Sequence, residues 1–416
     1  MPRLENSESG TSTITNMFEL TWNQRARSAI AHGALTNSKR PECLVKGIYP
    51  THLTRGVGAY VWDTTGRRYI DFICGLGSNI LGYANEEVNG AIAGQLRNGA
   101  TLSLGTTLEV EVAEKVKEMF PFVERLRFLK TGSDACSAAV RIARAKTRRT
   151  KVLSGGYHGF HDLFVSLTPP ALGVASYQDI ERFTGIEQIG KDTAAVIIEP
   201  VMLDASDVRR EWLGDVRRVC TRRGAMLIFD EIITGFRWPS FSVSNNWGIT
   251  PDIICLGKAM ANGMPISVVG GRLDVMECGE WFVSSTFAGE TLSLAAALKT
   301  MSLLQAKYRL SDLWARGEAF ITRFNQLWPE MIRIDGYPTR GAFTGDLMTK
   351  ALLWQEACRA GIMFGPSFFF NFQHIDLSEQ VLNTLQDIIT RLKTGSVRLD
   401  GQMPTTPFAA KQRGTT

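Results

Sequence analysis

Charged residues stand at the ends of two apolar, strand-like runs of the sequence. The run DIICLGK ends in Lys258, and the run LIFDE ends in Asp230 and Glu231. A buried lysine costs free energy unless its charge is removed or used. Formation of an imine with a carbonyl compound does both, and desolvated lysines are the usual Schiff-base nucleophiles. Because a buried carboxylate also needs a partner, these positions predict a nucleophilic lysine and a paired carboxylate.

Two further strand ends could complete a cofactor pocket. In FLKTGSDACSAAV, Gly132 lets the backbone approach a ligand closely, Ser133 offers a hydroxyl, and the free N–H groups of the helix start attract a phosphate. In SGGYHGFHD, Tyr157 supplies an aromatic ring at the end of another strand. Each feature alone is common. Combined with the strand-end lysine and carboxylate, they indicate a pocket for pyridoxal 5′-phosphate.

Alternating strands and helices must position these residues. Several apolar runs are separated by helix-length segments, and the segment 208–223 has an apolar face, an arginine-rich face and a natural stop at Gly224. This alternation predicts an α/β fold with a mostly parallel sheet covered on both sides, where ligands bind beyond the carboxyl ends of the strands. The predicted strands lie within 125–130, 151–155, 194–201, 225–232, 252–257 and 266–271.

The chain divides into a folded centre and two polar ends. The stretch GAYVWDTTGRRYIDFI at 58–73 has two β-rich runs around a turn and predicts a hairpin. A long periodic helix at 311–328 marks a smaller C-terminal part. We expect a disordered tail at 1–16, an N-terminal segment of the small domain at 17–85, a large cofactor-binding domain at 86–305, a C-terminal small domain at 306–395 and a flexible tail at 396–416.

Composition narrows the location and the partners. Of the 416 residues, 44% are hydrophobic and 21% charged, and no stretch is apolar enough for a signal peptide or a membrane span. We therefore expect a soluble protein without a membrane partner. Seven scattered cysteines without a C-x-x-C motif predict reduced thiols and a cytoplasmic location. His158 and His161 lack the companions of a zinc site, so no metal is predicted.

Basic residues cluster although the net charge is only +5. The clusters are the segment 140–151 and three arginine pairs at 209–210, 217–218 and 222–223. Solvated helix faces are the plain interpretation. The alternative is an anionic partner, either a nucleic acid or a nucleotide, sugar or other carrier of the substrate, and strong salt dependence of turnover would favour it.

The chain resembles a known family over nearly its whole folded length, namely the class III pyridoxal-phosphate-dependent aminotransferases of fold type I. Within that family it is similar to the glutamate-1-semialdehyde 2,1-aminomutase-like group. The resemblance implies a large domain with a mostly parallel, seven-stranded sheet flanked by helices and a smaller α+β domain. The motifs that carry it are GAYVWDTTGRRYIDF, NILGYANEEV, TTLEVEVAEKV, KTGSDACSAAVRIAR, YHGFHD, AAVIIEPV, LIFDEIITGFR, PDIICLGKAMANGMPISVVGG and TFAGETLSLAAA.

This resemblance implies roles for the residues around the cofactor ring. Lys258 is similar to the lysine that forms the Schiff base and moves protons between substrate and cofactor. Asp230 resembles the carboxylate that pairs with the pyridine nitrogen and keeps it protonated. Ile232 would pack against one side of the ring, and Tyr157 would cover the other. The expected partner of Asp230 is thus a bound pyridinium rather than a protein cation.

The resemblance also implies a phosphate site that two subunits share. Gly132 and Ser133 would bind the phosphate of the cofactor in their own subunit. Thr286 resembles the threonine that reaches the phosphate from the partner subunit, so a homodimer is implied. Glu199 is similar to a family glutamate near the ring, where it would have a supporting role.

Two charged residues near the carboxylate strand have structural interpretations. Glu231 points away from the face of Asp230 because neighbouring strand residues alternate, and we predict a structural ion pair for it. Arg237 is one possible partner, and an anchor for structure beyond the sheet is the other interpretation of this arginine. Neither residue is assigned to the substrate.

Departures from the aminomutase pattern lie on the substrate side. The arginine of an N-S-P-V-R-like stretch is absent, and the sequence leaves open whether Lys46 takes its place, although a lysine is a poorer clamp for a carboxylate. Asp204 replaces an asparagine, and A-G-E-T at 288–291 replaces S-G-N-P. We therefore predict an aminotransferase that moves an amino group from a small-molecule donor to a ketone or aldehyde acceptor, with pyridoxamine 5′-phosphate as intermediate. An intramolecular 2,1-aminomutase is the alternative.

Overall fold

The computed structural model describes residues 21–165, 180–279 and 281–405. The predicted tail at 1–16 lies outside these ranges, as do residues 406–416 of the second tail. The strands are β1 Leu53–Val57, β2 Tyr60–Asp63, β3 Arg68–Asp71, β4 Arg125–Leu129, β5 Lys151–Gly155, β6 Ile180–Arg182, β7 Thr193–Ile198, β8 Met226–Asp230, β9 Ile253–Leu256, β10 Ser267–Gly271, β11 Ile332–Tyr337, β12 Arg340–Gly345, β13 Ile362–Met363 and β14 Phe368–Phe369.

Helices separate most of these strands, and several short 3₁₀ turns join them. The α-helices are α1 Trp22–Ala29, α2 Cys74–Gly77, α3 Glu86–Leu96, α4 Thr107–Met119, α5 Gly132–Thr147, α6 Asp162–Val165, α7 Asp207–Arg223, α8 Val243–Trp247, α9 Leu273–Met276, α10 Thr291–Ala306, α11 Leu310–Leu327, α12 Leu347–Arg359 and α13 Ser378–Lys393. The 3₁₀ turns are Ala31–Gly33, Asn37–Lys39, Pro41–Cys43, Ile186–Gln188, Lys258–Ala261 and Phe372–Leu377.

The largest sheet has seven strands in the order β4-β10-β9-β8-β7-β5-β6. Strands β9, β8, β7, β5 and β6 run parallel, and β10 runs antiparallel to both of its neighbours. The prediction of a mostly parallel, seven-stranded sheet is therefore confirmed, and each of the six predicted strands is present. The seventh, β6, was not predicted, because its sequence Ile-Glu-Arg is short and largely polar.

Both faces of this sheet are buried under helices. Ile228 of β8 packs in a cluster with the alanines of α5, whereas Leu227 and Phe229 pack with Leu213 and Val216 of α7. The side chains of β8 thus alternate between two cores, as expected of a strand covered on both faces. Because Asp230 is two residues beyond Ile228, its carboxylate lies on the face that α5 covers.

The helix that follows β4 begins where the sequence predicts it. The Thr131 hydroxyl accepts a hydrogen bond from the Asp134 amide, and the Asp134 carboxylate accepts one from the Thr131 amide, so a capping box starts α5. Helix α7 ends at Gly224, whose positive φ of 66° suits a glycine C-cap. Both boundaries therefore follow from side-chain and backbone chemistry that is visible in the sequence.

Two smaller sheets contain the remaining strands. The predicted hairpin is confirmed as the antiparallel pair β2 and β3. Strand β13, from the C-terminal part, runs parallel to β3 with Ile362 opposite Ile70, so the two ends of the chain share one sheet in the order β1-β2-β3-β13. The third sheet has the order β11-β12-β14. The domain boundaries given above remain predictions. Within the described ranges, no helix has the length and apolar character to span a membrane.

Candidate active site

One cavity contains nearly all the predicted site residues. It has a volume of about 310 Å³ and lies at the carboxyl ends of β8 and β9. Such strand ends are where α/β sheets bind ligands. The lining includes all the residues predicted to contact a cofactor from within one subunit, namely Gly132, Ser133, Tyr157, Glu199, Asp230, Ile232 and Lys258.

Lys258 enters the cavity from the turn after β9. Its backbone has a positive φ of 40°, in the left-handed region that is uncommon for a residue other than glycine, asparagine or aspartate. Such conformations cluster at functional sites. Burial lowers the pKa of the Lys258 ammonium, although the negative charges of Asp230 and Glu199 oppose that shift. The neutral amine, which is the nucleophilic form, is therefore easier to reach than in an exposed lysine.

Asp230 already has a protein partner. Its Oδ2 lies 2.8 Å from Nδ1 of His158, and its Oδ1 accepts a hydrogen bond of 3.1 Å from the Ile232 amide. The sequence favoured a bound pyridinium over a protein cation as this partner. His158 is a protein partner that it did not identify, and the contact with a pyridinium stays a prediction. Tyr157 was singled out from the motif Y-H-G, but the histidine beside it was not assigned a role. Its position one residue beyond the aromatic ring was the available signal.

The His158 imidazole is held in its charged form. Burial alone would disfavour the charge, but the hydrogen bond to Asp230 and contacts with Cys136 and the negative charge of Asp230 raise the pKa of His158 to about 10. Its Nε2 is buried without a hydrogen-bond partner within the described ranges. The protonated imidazole and the Asp230 carboxylate form a buried ion pair of 2.8 Å. Asp230 is therefore suited to face a second cation, such as a protonated ring nitrogen.

The side chains of Cys136, His158 and Asp230 lie close enough together to be candidate ligands of a metal ion. The potential ligand atoms of Cys136, His158 and Asp230 all lie within 4.8 Å of one another. A metal would need the cysteine as a thiolate. Burial raises the pKa of the Cys136 thiol well above its ordinary value, which disfavours that form. We derive no metal chemistry from this group.

The start of α5 has the chemistry of a phosphate site. The amides of Gly132 and Ser133 have no hydrogen-bond partner in the part of the chain that the structure describes, as expected for the first residues of a helix. The Phe160 amide donates to the Ser133 hydroxyl at 3.3 Å. A Cβ atom added at Gly159 would lie 2.2 Å from that hydroxyl oxygen, so the loop after β5 packs closely against the start of α5. Free amides at a helix N-terminus favour an anion.

Glu199 and Ile232 fix the walls of the cavity. The Glu199 Oε1 accepts a hydrogen bond of 2.8 Å from the Tyr157 amide, which ties the strand end of β7 to the loop that carries the aromatic ring. Burial, reinforced by the charge of Asp230, raises the pKa of Glu199. A Cβ atom at Gly132 would lie 3.0 Å from Cγ2 of Ile232, so glycine permits the close approach between α5 and β8. These residues fit a flat, phosphate-bearing ring.

The other acid of the carboxylate strand has a structural role, but not as part of an ion pair. Glu231 is fully buried and accepts hydrogen bonds from the amides of Val243 and Ser244 and from the Thr234 hydroxyl, at 2.8 to 2.9 Å. The ion pair predicted for it was wrong, because these donors satisfy the carboxylate. Arg237 instead donates to the backbone carbonyls of Gly77, Thr339 and Phe370, which lie outside the large sheet. These contacts confirm its interpretation as an anchor.

The residues at the departures from the aminomutase pattern lie mostly away from the cavity. Lys46 pairs with Glu42 at 3.4 Å and does not line the cavity. Asp204 is exposed and accepts a hydrogen bond from the Ser206 amide. Glu290 caps α10 and forms an ion pair of 2.9 Å with Lys130, which does line the cavity.

The basic clusters make local contacts. Arg141 donates to the Phe282 carbonyl, Lys146 pairs with Asp274 at 2.9 Å, and Arg149 donates to three carbonyls. In the arginine pairs, Arg217 pairs with Asp252 at 2.7 Å and Arg218 with Asp215. These contacts agree with the interpretation as helix faces.

Thr286 does not line the cavity of its own chain. It is exposed, and its neighbours Val283 to Ser285 and Ala288 to Gly289 line a larger surface cleft of about 630 Å³. Helix α4 and strand β4 form the rest of that cleft. Any contribution of Thr286 to a phosphate site would therefore be to another copy of the chain.

This fold and site define a class of protein. A mostly parallel sheet with a lysine, a carboxylate and a helix N-terminus around one cavity is the arrangement of a fold type I pyridoxal-phosphate-dependent transferase. The chain belongs to the class III aminotransferase family, because the family description "Aminotransferase class-III" matches residues 45–368. It is accordingly a pyridoxal-phosphate-dependent enzyme.

Individual relatives agree with this family. The chain is 35% identical over 284 residues to glutamate-1-semialdehyde 2,1-aminomutase from Archaeoglobus fulgidus, an alignment that covers 62% of this chain and 68% of the relative. It is also 35% identical over 303 residues to 3-aminobutyryl-CoA aminotransferase from Cloacimonas acidaminovorans, covering 69% and 73%. The FumI protein of Sphingopyxis sp. MTA144 has the same fold, with a TM-score of 0.83, 24% identity and coverage of 92% and 98%.

Proposed function

We propose that this enzyme transfers an amino group from a small-molecule donor to a ketone or aldehyde acceptor. The observation that carries the proposal is the convergence of Lys258 and Asp230 on one cavity. Strands β8 and β9 are parallel neighbours, with Asp230 opposite Cys255, so the carboxylate and the lysine that follows β9 enter from the same edge of the sheet. The free amides at the start of α5 lie on the same cavity.

Each residue has a proposed task at a stated atom. Bound pyridoxal 5′-phosphate supplies an aldehyde that takes up the amino group and a ring that accepts electrons. Lys258 Nζ is the nucleophile and the proton carrier, since burial favours its neutral form. With the cofactor bound, Asp230 would hold a proton on the ring nitrogen, and His158 would orient the Asp230 carboxylate through the contact of 2.8 Å. Gly132 and Ser133 bind the phosphate, while Ile232 and Tyr157 enclose the ring and Glu199 fixes the Tyr157 loop.

We also propose a homodimer in which Thr286 completes the phosphate site of the partner subunit. The exposed position of Thr286 outside its own cavity supports this role. Two large apolar side chains are exposed near Thr286, namely Val110, which lines the cleft, and Phe287, the next residue in the chain, and such a surface is expected to be covered. A cytoplasmic location is proposed because all seven cysteines are free.

Half-reactions with single amino donors test the proposal. Cofactor-loaded enzyme would be mixed separately with an α-amino acid, a β-amino acid and a primary amine, and the absorbance spectrum of the bound cofactor would be recorded. We expect at least one donor to convert the bound cofactor to its pyridoxamine form, which is seen as a change in the absorbance spectrum. That donor should release one carbonyl product for each cofactor converted. The K258A variant is the control and should show no conversion. If no donor converts the wild-type spectrum, transfer between two molecules is excluded.

The second candidate is a 2,1-aminomutase, which moves the amino group between adjacent carbons of one molecule. The relative named glutamate-1-semialdehyde 2,1-aminomutase favours it. The position of Lys46, paired with Glu42 away from the cavity, weighs against a simple replacement of the missing arginine. Conversion of a vicinal amino-aldehyde to its isomer without any added donor would establish this candidate.

The third candidate acts on an amine or carbonyl held by an anionic carrier. The relative named 3-aminobutyryl-CoA aminotransferase favours it. The local contacts of Arg217 and Arg218 weigh against a carrier site on α7. Turnover of a small uncharged substrate that does not change with salt concentration would exclude a carrier bound by this surface.

A further inference from the structure

The segment that carries Thr286 has no regular secondary structure of its own. Residues 281–290, called here the α9–α10 segment, precede α10 and contain neither helix nor strand. Thr286 and Phe287 are exposed near its centre. Fixing an irregular, exposed backbone costs conformational entropy, so an ordered segment of this kind needs contacts that hold it.

Two arginines hold the first part of the α9–α10 segment by its backbone. Arg141 of α5 donates to the Phe282 carbonyl at 2.5 Å, and Arg127 of β4 donates to the Val283 carbonyl at 2.6 Å. The Arg127 guanidinium also lies 4.9 Å from the centre of the Trp281 ring, as in a cation–π contact. Among the described residues, neither arginine has an ion pair or a hydrogen-bond acceptor outside this segment.

An ion pair holds the other end of the segment. Lys130, the residue after β4, pairs with Glu290 at 2.9 Å, and the two side chains are only 17% and 15% exposed. Glu290 also caps α10, because it accepts hydrogen bonds from the amides of Leu292 and Ser293 at 2.6 and 3.2 Å. The segment therefore ends on an ion pair that is largely withdrawn from water and is screened less than an exposed pair.

All three cations come from the stretch that forms the phosphate site of the same chain. Arg127 lies in β4, Lys130 follows that strand and lines the cavity, and Arg141 lies in α5. The first amides of α5 are those proposed to bind the cofactor phosphate. In a symmetric dimer each chain presents the same surfaces to its partner. A segment fixed to β4 and α5 thus keeps a constant distance between the phosphate site of one chain and the threonine that it contributes to the other.

We infer that Arg127 and Arg141 are positioning residues of the shared phosphate site, because they hold the α9–α10 segment where Thr286 can reach the cofactor of the partner subunit. This inference rests on the proposed homodimer, and it gives a task to Arg141, whose basic cluster has none in the proposed amino transfer. Neither arginine lines the cavity of its own chain. Their effect is preorganisation, since a group that is already held in its binding position need not be ordered when the ligand arrives.

A comparison of two forms of the cofactor measures the contribution of the phosphate group. Pyridoxal 5′-phosphate and pyridoxal carry the same aldehyde and differ only in the phosphate, so the ratio of their dissociation constants is the phosphate preference of the protein. Each would be titrated into the cofactor-free full chain by equilibrium dialysis. We expect T286A to lower the phosphate preference about tenfold. R127Q/R141Q should lower it about three- to tenfold and bind pyridoxal like wild type.

A double-mutant cycle separates positioning from a general structural role. If the arginines act through Thr286, adding R127Q/R141Q to T286A should cause no further loss of phosphate preference. A further loss in the T286A background would show a general loosening of the fold and would overturn the inference. R127K/R141K should keep most of the preference, because a lysine can still donate to a carbonyl. If R127Q/R141Q does not fold, R127Q and R141Q carry the same cycle separately, with smaller losses.

The control variant is R125Q, on the same strand. Arg125 pairs with Glu277 at 2.7 Å and, within the described ranges, has no hydrogen bond to the α9–α10 segment, so its phosphate preference should match wild type. An unchanged preference in R127Q/R141Q together with a loss in T286A overturns this inference alone. An unchanged preference in T286A removes the shared site and the inference together. Failure of every donor in the half-reaction would instead remove the proposed amino transfer, and it would leave these binding constants intact.

Discussion

At the residue scale, the site depends on the two contacts of the Asp230 carboxylate. One oxygen lies beside Nδ1 of His158, and the other accepts a hydrogen bond from the Ile232 amide. The sequence indicated Asp230 and Lys258 because charge at the end of an apolar strand is costly. It did not indicate His158 as a partner, because that contact joins residues that are far apart in the chain and depends on how two strand ends meet.

The first prediction concerns the D230N variant. Removing the carboxylate leaves the buried imidazole without the contact that raises its pKa, so the pKa of His158 should fall from about 10 to below its ordinary 6.5. NMR titration of the imidazole in cofactor-free protein measures this. D134N is the matched control, because Asp134 contacts the more exposed His161 instead. An unchanged pKa of His158 in D230N would contradict the assignment.

The same pair makes stability depend on pH. Since the pKa of His158 in the folded protein is above its unfolded value, the stabilisation is complete below pH 6.5 and is lost as the pH rises through about 10. The advantage of cofactor-free wild type over D230N in free energy of unfolding should therefore shrink by roughly 2 to 4 kcal/mol between pH 7 and 10. Urea unfolding at both pH values measures it, and a constant difference would contradict the account.

At the element scale, the large sheet was predictable and the contacts between loops were not. Strand β7, with sequence TAAVII, is buried along its whole length, so its apolar run is a strong signal. The start of α5 and the end of α7 were predictable, because the capping residues and the glycine that define them are adjacent to the helices in the sequence. The partners of Glu231 could not be predicted, because they are backbone amides of α8 that periodicity does not reveal.

The contact between the loop after β5 and the start of α5 can be tested by substitution. In G159A the new methyl group would lie 2.2 Å from the Ser133 hydroxyl oxygen, at a φ of 107° that alanine rarely adopts. We expect weaker cofactor binding, with the dissociation constant raised at least about tenfold, and a loss of about 1 to 3 kcal/mol in stability. Equilibrium dialysis and urea unfolding measure the two effects.

The matched control is G90A, at a helical glycine of α3 with open space around it. Alanine there should increase stability by about 0.5 to 1 kcal/mol and leave cofactor binding unchanged. If G159A binds the cofactor as tightly as wild type does, the loop does not shape the phosphate site.

At the scale of the whole molecule, the proposed homodimer needs two chains for each complete site. Thr286 lies outside the cavity of its own chain, and its neighbours line an exposed cleft bordered by α4 and β4. The resemblance to a family provided this expectation, whereas residue chemistry alone did not. A surface threonine has no distinguishing pattern in a single sequence.

Mixing two inactive variants tests the shared site. In a hybrid of K258A and T286A chains, one site combines the intact Lys258 with the intact Thr286 of the partner subunit, and the other site carries both defects. Random exchange makes half of the dimers hybrids, so about one quarter of the wild-type sites should be recovered. If Thr286 served its own chain, no mixture would exceed the sum of the separate variants.

The most direct test of the central claim is the position of the covalent link to the cofactor. Protein loaded with pyridoxal 5′-phosphate would be reduced with borohydride, digested and mapped by mass spectrometry. The account predicts one modified residue, Lys258, in the turn after β9, and no modification in K258A. A stable adduct on another lysine, or no adduct despite saturating cofactor, would contradict the assignment of this cavity as the active site.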